Sequence, residues 1–152
     1  MRILIDADGC PVTKIAEGIA FREKIPCIIF CDTAHIIKSP YAQVIICEKG
    51  LDSVDFSILN RTCENDIIIT QDYGLASMCL VKKTFPINQN GLRYTNENID
   101  SMLNSRYISR KARQAGIRTK GPAKRKPEQD EKFRRTLEKL IAYIRSIEKD
   151  SY

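Results

Sequence analysis

Asp6 and Asp8 stand at the end of an apolar run, Ile3-Leu4-Ile5, and are followed by Gly9, Cys10 and Pro11. Sixty residues on, Ile67-Ile68-Ile69 runs into Thr70, Gln71 and Asp72. In a parallel α/β sheet, ligands sit outside the carboxyl ends of the strands. Two strands that both end in aspartate can therefore build one acidic pocket. Asp52 and Asp55, three apart at a helix start, can join it. Two carboxylates about 4 Å apart repel by roughly 4 kcal/mol at an effective dielectric of ~20. Such a cluster calls for a cation between the charges or a retained proton. Hard oxygen donors suit Mg²⁺ or Mn²⁺. Asp6 and Asp72 are the expected main metal ligands, with Asp8 and Asp55 beside them. Thr70 can hydrogen-bond a ligand carboxylate or a phosphate oxygen.

Simpler roles compete for some of these positions. Asp52 and Asp72 each stand where a helix N-cap belongs, and Asp55 suits the first helical turn. Asp66 precedes a strand at the opposite sheet edge and reads as a turn residue. Cys10 reads as packing, since neighbouring carboxylates blunt a thiol.

The elements that must position these residues follow from the apolar pattern. Strands are expected at 2–6, 27–31, 44–47, 66–70 and 84–87, and helices at 11–24, 51–63 and 73–81. The alternation predicts a three-layer α/β/α sandwich with a mostly parallel sheet. Asn90-Gly91 marks a turn. A helix from about 96 stops near Gly116, and a last one runs from about 127 to 149. Its stripe of Phe133, Leu137, Leu140, Ile141, Ile144 and Ile147 recurs with helical period. A single domain over 1–152 is expected, with its core in about 1–95 and a basic, helical C-terminal part in about 96–152.

The 152 residues suffice for one real core, and 43% hydrophobic with 29% charged content argues against disorder. No apolar run is long enough for a membrane span, and a strand starting beside Met1 leaves no room for a signal peptide. A cytoplasmic location is expected. The six cysteines form no C-x-x-C pair, and most lie in apolar runs, so buried free thiols are expected. With His35 the single histidine, the spacing does not suit zinc.

The net charge of +6 is uneven. Nine basic side chains and no acid fall within 106–126: Arg106, Arg110, Lys111, Arg113, Arg118, Lys120, Lys124, Arg125 and Lys126. Removing those nine leaves 16 basic against 19 acidic side chains, a net of −3. A mildly acidic body with one basic segment points to a polyanion, nucleic acid first. Tyr94 and Tyr107 are candidates for stacking on unpaired bases.

Asp6-Ala7-Asp8-Gly9-Cys10-Pro11 resembles the D-A-D-[AG]-C-P signature of the bacterial YaiI/YqxD family. The resemblance continues through Gly50-Leu51-Asp52-Ser53-Val54-Asp55, through Asp66 to Asp72, through Asn88 to Tyr94, and to Gly121-Pro122 and Phe133. Thr119-Lys120-Gly121-Pro122 departs from the usual T-G-G-P by a lysine. That family is similar to PIN-like proteins, which are metal-dependent nucleases with a parallel sheet and clustered acids. The resemblance implies that Asp6 and Asp72 are the acids after the first and fourth strands, with Asp55 or Asp52 between them. It implies phosphodiester hydrolysis, of RNA before DNA. Two rivals remain: a non-catalytic RNA-binding protein, and a haloacid-dehalogenase-like phosphatase with Asp6 as nucleophile and Asp8 as acid/base. A homodimer stays open.

Overall fold

The computed structural model describes residues 1–50, 53–119, 121 and 123–152. Five strands, β1 (Ile3–Asp6), β2 (Cys27–Asp32), β3 (Gln43–Cys47), β4 (Ile67–Ile69) and β5 (Phe85–Ile87), form one all-parallel sheet in the order β3-β2-β1-β4-β5. Five helices accompany them: α1 (Thr13–Glu23), α2 (Ser53–Arg61), α3 (Tyr73–Val81), α4 (Ile99–Gln114) and α5 (Pro127–Asp150). Among the described residues, no helix is long and apolar enough to cross a membrane.

A sheet covered on both faces needs strands that are apolar on both sides, and the central strands here are. Alternate residues point to opposite faces. Ile3, Ile5, Ile29, Ile67 and Ile69 pack with Val12, Ala16 and Ile19 around α1 and with Phe133, Leu137, Ile141 and Ile144 of α5. Leu4, Ile28, Phe30 and Ile68 pack with Ile58 of α2 and with Leu75 and Cys79 of α3. The stripe read along α5 is thus a core stripe: α5 covers one face beside α1. Helix α4 docks on α3 through Ile99, Met102 and Leu103. The layers are α1/α5, sheet, and α2/α3, with α4 outside α3.

The chain starts at the sheet centre, steps outward through β2 and β3, then returns to the other side of β1 to form β4. The strand order reverses between β1 and β4. A crevice opens at such a reversal at the carboxyl ends of the strands, and here it lies between Asp6 and Asp72. At the opposite edge, Asp66 is more than a turn residue. It is 1% exposed, pairs with Arg2 at 2.5 Å, and accepts the Cys63 N–H at 2.9 Å, tying the starts of β1 and β4.

Helix α1 starts at Thr13, two residues after Pro11, because a turn intervenes. The Cys10 N–H bonds the Ala7 carbonyl, and the first helical bond runs from Ala16 to Val12. Four cysteines are buried as expected (Cys27, Cys31, Cys47, Cys79) and Cys10 half so. Cys63 departs from the pattern by being exposed, just past the end of α2.

Asn90-Gly91 forms the expected turn. Gly91 has φ +76°, and a Cβ there would lie 2.8 Å from the Lys132 carbonyl oxygen of α5. Arg125 clamps the same junction, donating to Asn90 and Gln89 while pairing with Asp130. Gly91→Ala is expected to cost about 2 kcal/mol or more, from left-handed strain and collision with backbone together. Chemical denaturation would check it; an unchanged midpoint would mean that α5 does not sit this tightly.

Candidate active site

Asp6 is the last residue of β1, and its partly buried carboxylate accepts the Thr70 hydroxyl at 2.8 Å. Burial, opposed by that hydrogen bond and assisted by the charges of Asp8 and Asp72, lifts its pKa to about 6. Thr70 is fully buried, and its oxygen also accepts the Asp72 N–H at 3.0 Å. Its carbonyl accepts the hydroxyl of Tyr94 at 3.1 Å. Thr70 therefore couples the end of β4 to Asp6 and sets the spacing of the two acids.

Asp72 is both N-cap and site residue. Its Oδ1 accepts the Gly74 and Leu75 N–H groups of α3 at 2.8 and 3.2 Å, and one long contact from Arg106 at 3.4 Å. The capping role fixes the carboxylate's position rather than removing it from the cleft. An open cleft of about 490 Å³ is lined by Asp6, Asp8, Asp32, Glu48, Asp55 and Asp72, among others. Asp6, Asp8, Asp55 and Asp72 thus come together as the sequence suggested. Asp52 and Lys120 lie outside the described residues.

Two acids were missed. Asp32 ends β2 and Glu48 follows β3, so all four strands from β3 to β4 deliver a carboxylate to the cleft. The signal was present: both follow apolar runs, as Asp6 does. The expected second strand stopped at Cys31, one residue short. Asp8 accepts the Asp32 N–H at 3.4 Å, and Asp32 accepts the backbone N–H groups of Ala34 and His35, both at 2.9 Å. Desolvation acts to raise the Asp32 pKa, but the hydrogen bonds from His35 and Ala34 together outweigh it and hold the pKa below its ordinary value. One ligand atom each from Asp8, Asp32 and His35 lies within 4.8 Å of the others. His35 therefore sits beside carboxylates, where the sequence spacing gave it no company.

The donor set fits a hard divalent cation. It is rich in oxygen and partly buried, and among the described residues no Lys or Arg forms an ion pair with Asp6 or Asp8. Burial first, and the charge of Asp6 to a lesser degree, push the Cys10 thiol pKa up, which works against a thiolate there.

Arg106, Arg110, Lys111 and Arg113 are exposed on α4, and Arg118, Lys124 and Lys126 are exposed beyond it. Arg125 is half-buried in the clamp on the 88–91 turn. Tyr107 is 59% exposed, with Lys111 over its ring. Tyr94 is 2% exposed, its ring edge-on to Tyr73, so it cannot stack on a base. Its inward hydroxyl instead supports Thr70, and burial pushes its pKa up.

Comparison with known proteins places this sequence in a family. The sequence model of the uncharacterised bacterial YaiI/YqxD family matches residues 4–143. A UPF0178 protein of Clostridium acetobutylicum is 46% identical over 143 residues, covering 93% of this chain and 97% of the relative. One of Clostridium kluyveri is 48% identical over 141 residues, covering 93% of each. One of Exiguobacterium sibiricum is 44% identical over 141 residues, covering 93% of this chain and 96% of the relative. No solved structure matches the chain significantly. With its family signature matched over nearly the whole length, the chain belongs to the uncharacterised bacterial YaiI/YqxD family.

Proposed function

We propose that this protein is a divalent-metal-dependent nuclease, acting on RNA in preference to DNA, in the manner of the PIN-like enzymes it resembles. The observation that carries the reading is the convergence of Asp6, Asp8, Asp55 and Asp72 on one cleft where the strand order reverses. Mg²⁺ or Mn²⁺ would be held chiefly by Asp6 and Asp72, with Asp8 and Asp55 alongside. When bound, the cation lowers the pKa of water and offsets charge gathering on phosphoryl oxygens. Thr70 holds the Asp6 carboxylate in place through its hydroxyl. The backbone amides at the start of α3 fix Asp72. The cleft is wide and open, which suits an extended chain more than a small enclosed metabolite.

The exposed basic face of α4 favours a second reading, an RNA-binding protein without cleavage. The two separate cleanly. Incubation of labelled single-stranded RNA with Mn²⁺, with Mg²⁺ and with EDTA is expected to give cleavage in the metal arms alone. Salt-sensitive binding without cleavage in any arm would instead assign the function to the basic segment. A stable aspartyl-phosphate mimic on Asp6 would favour the phosphatase.

A further inference from the structure

We propose that Arg106 is the residue that receives the substrate's phosphate backbone. It rests on Asp72 until a divalent cation occupies the carboxylates, and then turns to a phosphate in the adjoining polar hollow. The inference rests on the reading of the cleft as a metal and phosphodiester site, and names how the strand enters it.

The geometry singles out this side chain. Asp72 lines the acidic cleft, while its neighbours Gln71 and Tyr73 line a second hollow of about 400 Å³, together with Ser105, Arg106 and Ser109 of α4. One aspartate thus forms the boundary between an acidic cleft and a hollow rich in hydrogen-bond donors. Of the described basic residues in 106–126, only Arg106 forms an ion pair with an acid of the cleft. That pair is loose: a single contact of 3.4 Å, with the arginine side chain 56% exposed. A guanidinium carries five donors in a planar fork that matches a phosphate, so one long contact leaves most of its capacity available.

The rest of α4 extends the track. Arg106, Arg110 and Arg113 are spaced four and three apart, which places them on one helix face. From the first to the last is a rise of about 10 Å. A strand lying along that face would meet three guanidinium groups leading to the Asp72 boundary. The acidic cleft repels a polyanion by itself. A cation held by Asp72 would reduce that repulsion and remove the reason for Arg106 to stay there. The two events would then assist each other: Arg106, released from Asp72, would hold the phosphate at the mouth of the cleft.

The test uses the full chain and two variants, Arg106→Ala and Arg106→Lys. Manganese affinity is measured by calorimetry without RNA. Affinity for a labelled, phosphorothioate-protected single-stranded RNA is measured by fluorescence anisotropy in saturating Mn²⁺ at fixed salt. Loss of a competing cation should make Arg106→Ala bind Mn²⁺ about threefold to tenfold more tightly, and loss of a phosphate contact should weaken RNA binding about fivefold. Where cleavage occurs, KM should rise more than kcat falls. Arg106→Lys should recover part of the RNA affinity. A merely structural arginine would not move the two affinities in opposite directions. Unchanged or weaker Mn²⁺ binding, or unchanged RNA binding, in a folded Arg106→Ala protein overturns the inference. Opposite shifts without any cleavage by wild type would support the hand-over while removing the nuclease reading. Cleavage with neither shift would do the reverse.

Discussion

Asp6→Asn is expected to make the protein more resistant to heat and to abolish the RNA cleavage proposed for it. The stability half follows from the pKa of about 6, raised from 3.8 mainly by burial. A raised pKa means that the fold tolerates the protonated carboxyl better than the charged one. Between about pH 4 and pH 6 the folded protein keeps a proton that the unfolded chain has lost. Stability from this group is therefore highest at or below about pH 4, falls as pH rises to about 6, and stays low above it. About two pKa units correspond to about 3 kcal/mol as an upper bound, which water at the partly open cleft reduces. Asparagine can still accept from Thr70 and carries no charge. In EDTA at pH 7.5 the variant should melt roughly 3–8 °C higher, with the advantage shrinking as pH falls toward 4. Millimolar Mn²⁺ should stabilise wild type by about 2–3 kcal/mol if it stands at 100 times its dissociation constant. The same ion should do little for the variant, so the order of melting temperatures closes or inverts. An Asp6→Asn protein that melts below wild type in EDTA would show that the carboxylate is satisfied in the fold.

The largest purely structural effect is expected at the opposite edge of the sheet. The Asp66 carboxylate is almost wholly buried and accepts the backbone N–H of Arg2 at 3.0 Å and that of Cys63 at 2.9 Å, besides its ion pair to the guanidinium. Asp66→Ala strands two backbone donors and leaves Arg2 without its partner. Breaking a buried ion pair from one side costs about 3–5 kcal/mol. Arg2 is 31% exposed and can recover some hydration, so about 2–4 kcal/mol is expected, a fall of roughly 10 °C in Tm. Asp66→Asn, which keeps one oxygen for the amides, should lose about half as much. At a temperature where each remains folded, RNA cleavage should match wild type, because this pair ties strand starts while the cleft lies at strand ends. Loss of cleavage in folded Asp66→Asn would contradict that separation.

These two aspartates show which information the sequence carried. Both flank apolar strands, and the apolar pattern sufficed to place one at each sheet edge. The parallel order and the cover on both faces were legible for the same reason, since apolar runs alternating with amphipathic helices admit few other arrangements. Contacts that bridge distant segments were not legible. Thr70 and Asp6 are 64 residues apart, and Arg106 and Asp72 are 34 apart. Nothing local encodes such pairs. Tyr94 misled because a tyrosine near a basic segment looks the same whether its ring faces solvent or Tyr73. Arg125 belongs to a run of like charges by composition, yet tertiary structure gives it Asp130 and the 88–91 turn. Asp32 was readable, but only by applying to the second strand the rule that identified Asp6 on the first.

The most direct measurement is single-turnover cleavage of 5′-labelled single-stranded RNA in Mn²⁺ by wild type and by Asp6→Asn, prepared identically, with RNA affinity measured on both in EDTA. The variant should bind RNA at least as well as wild type and cleave it at least about 100-fold more slowly, since removing a main metal ligand removes transition-state stabilisation rather than backbone binding. Equal cleavage rates in the two preparations would contradict it and take the chemistry away from this cleft.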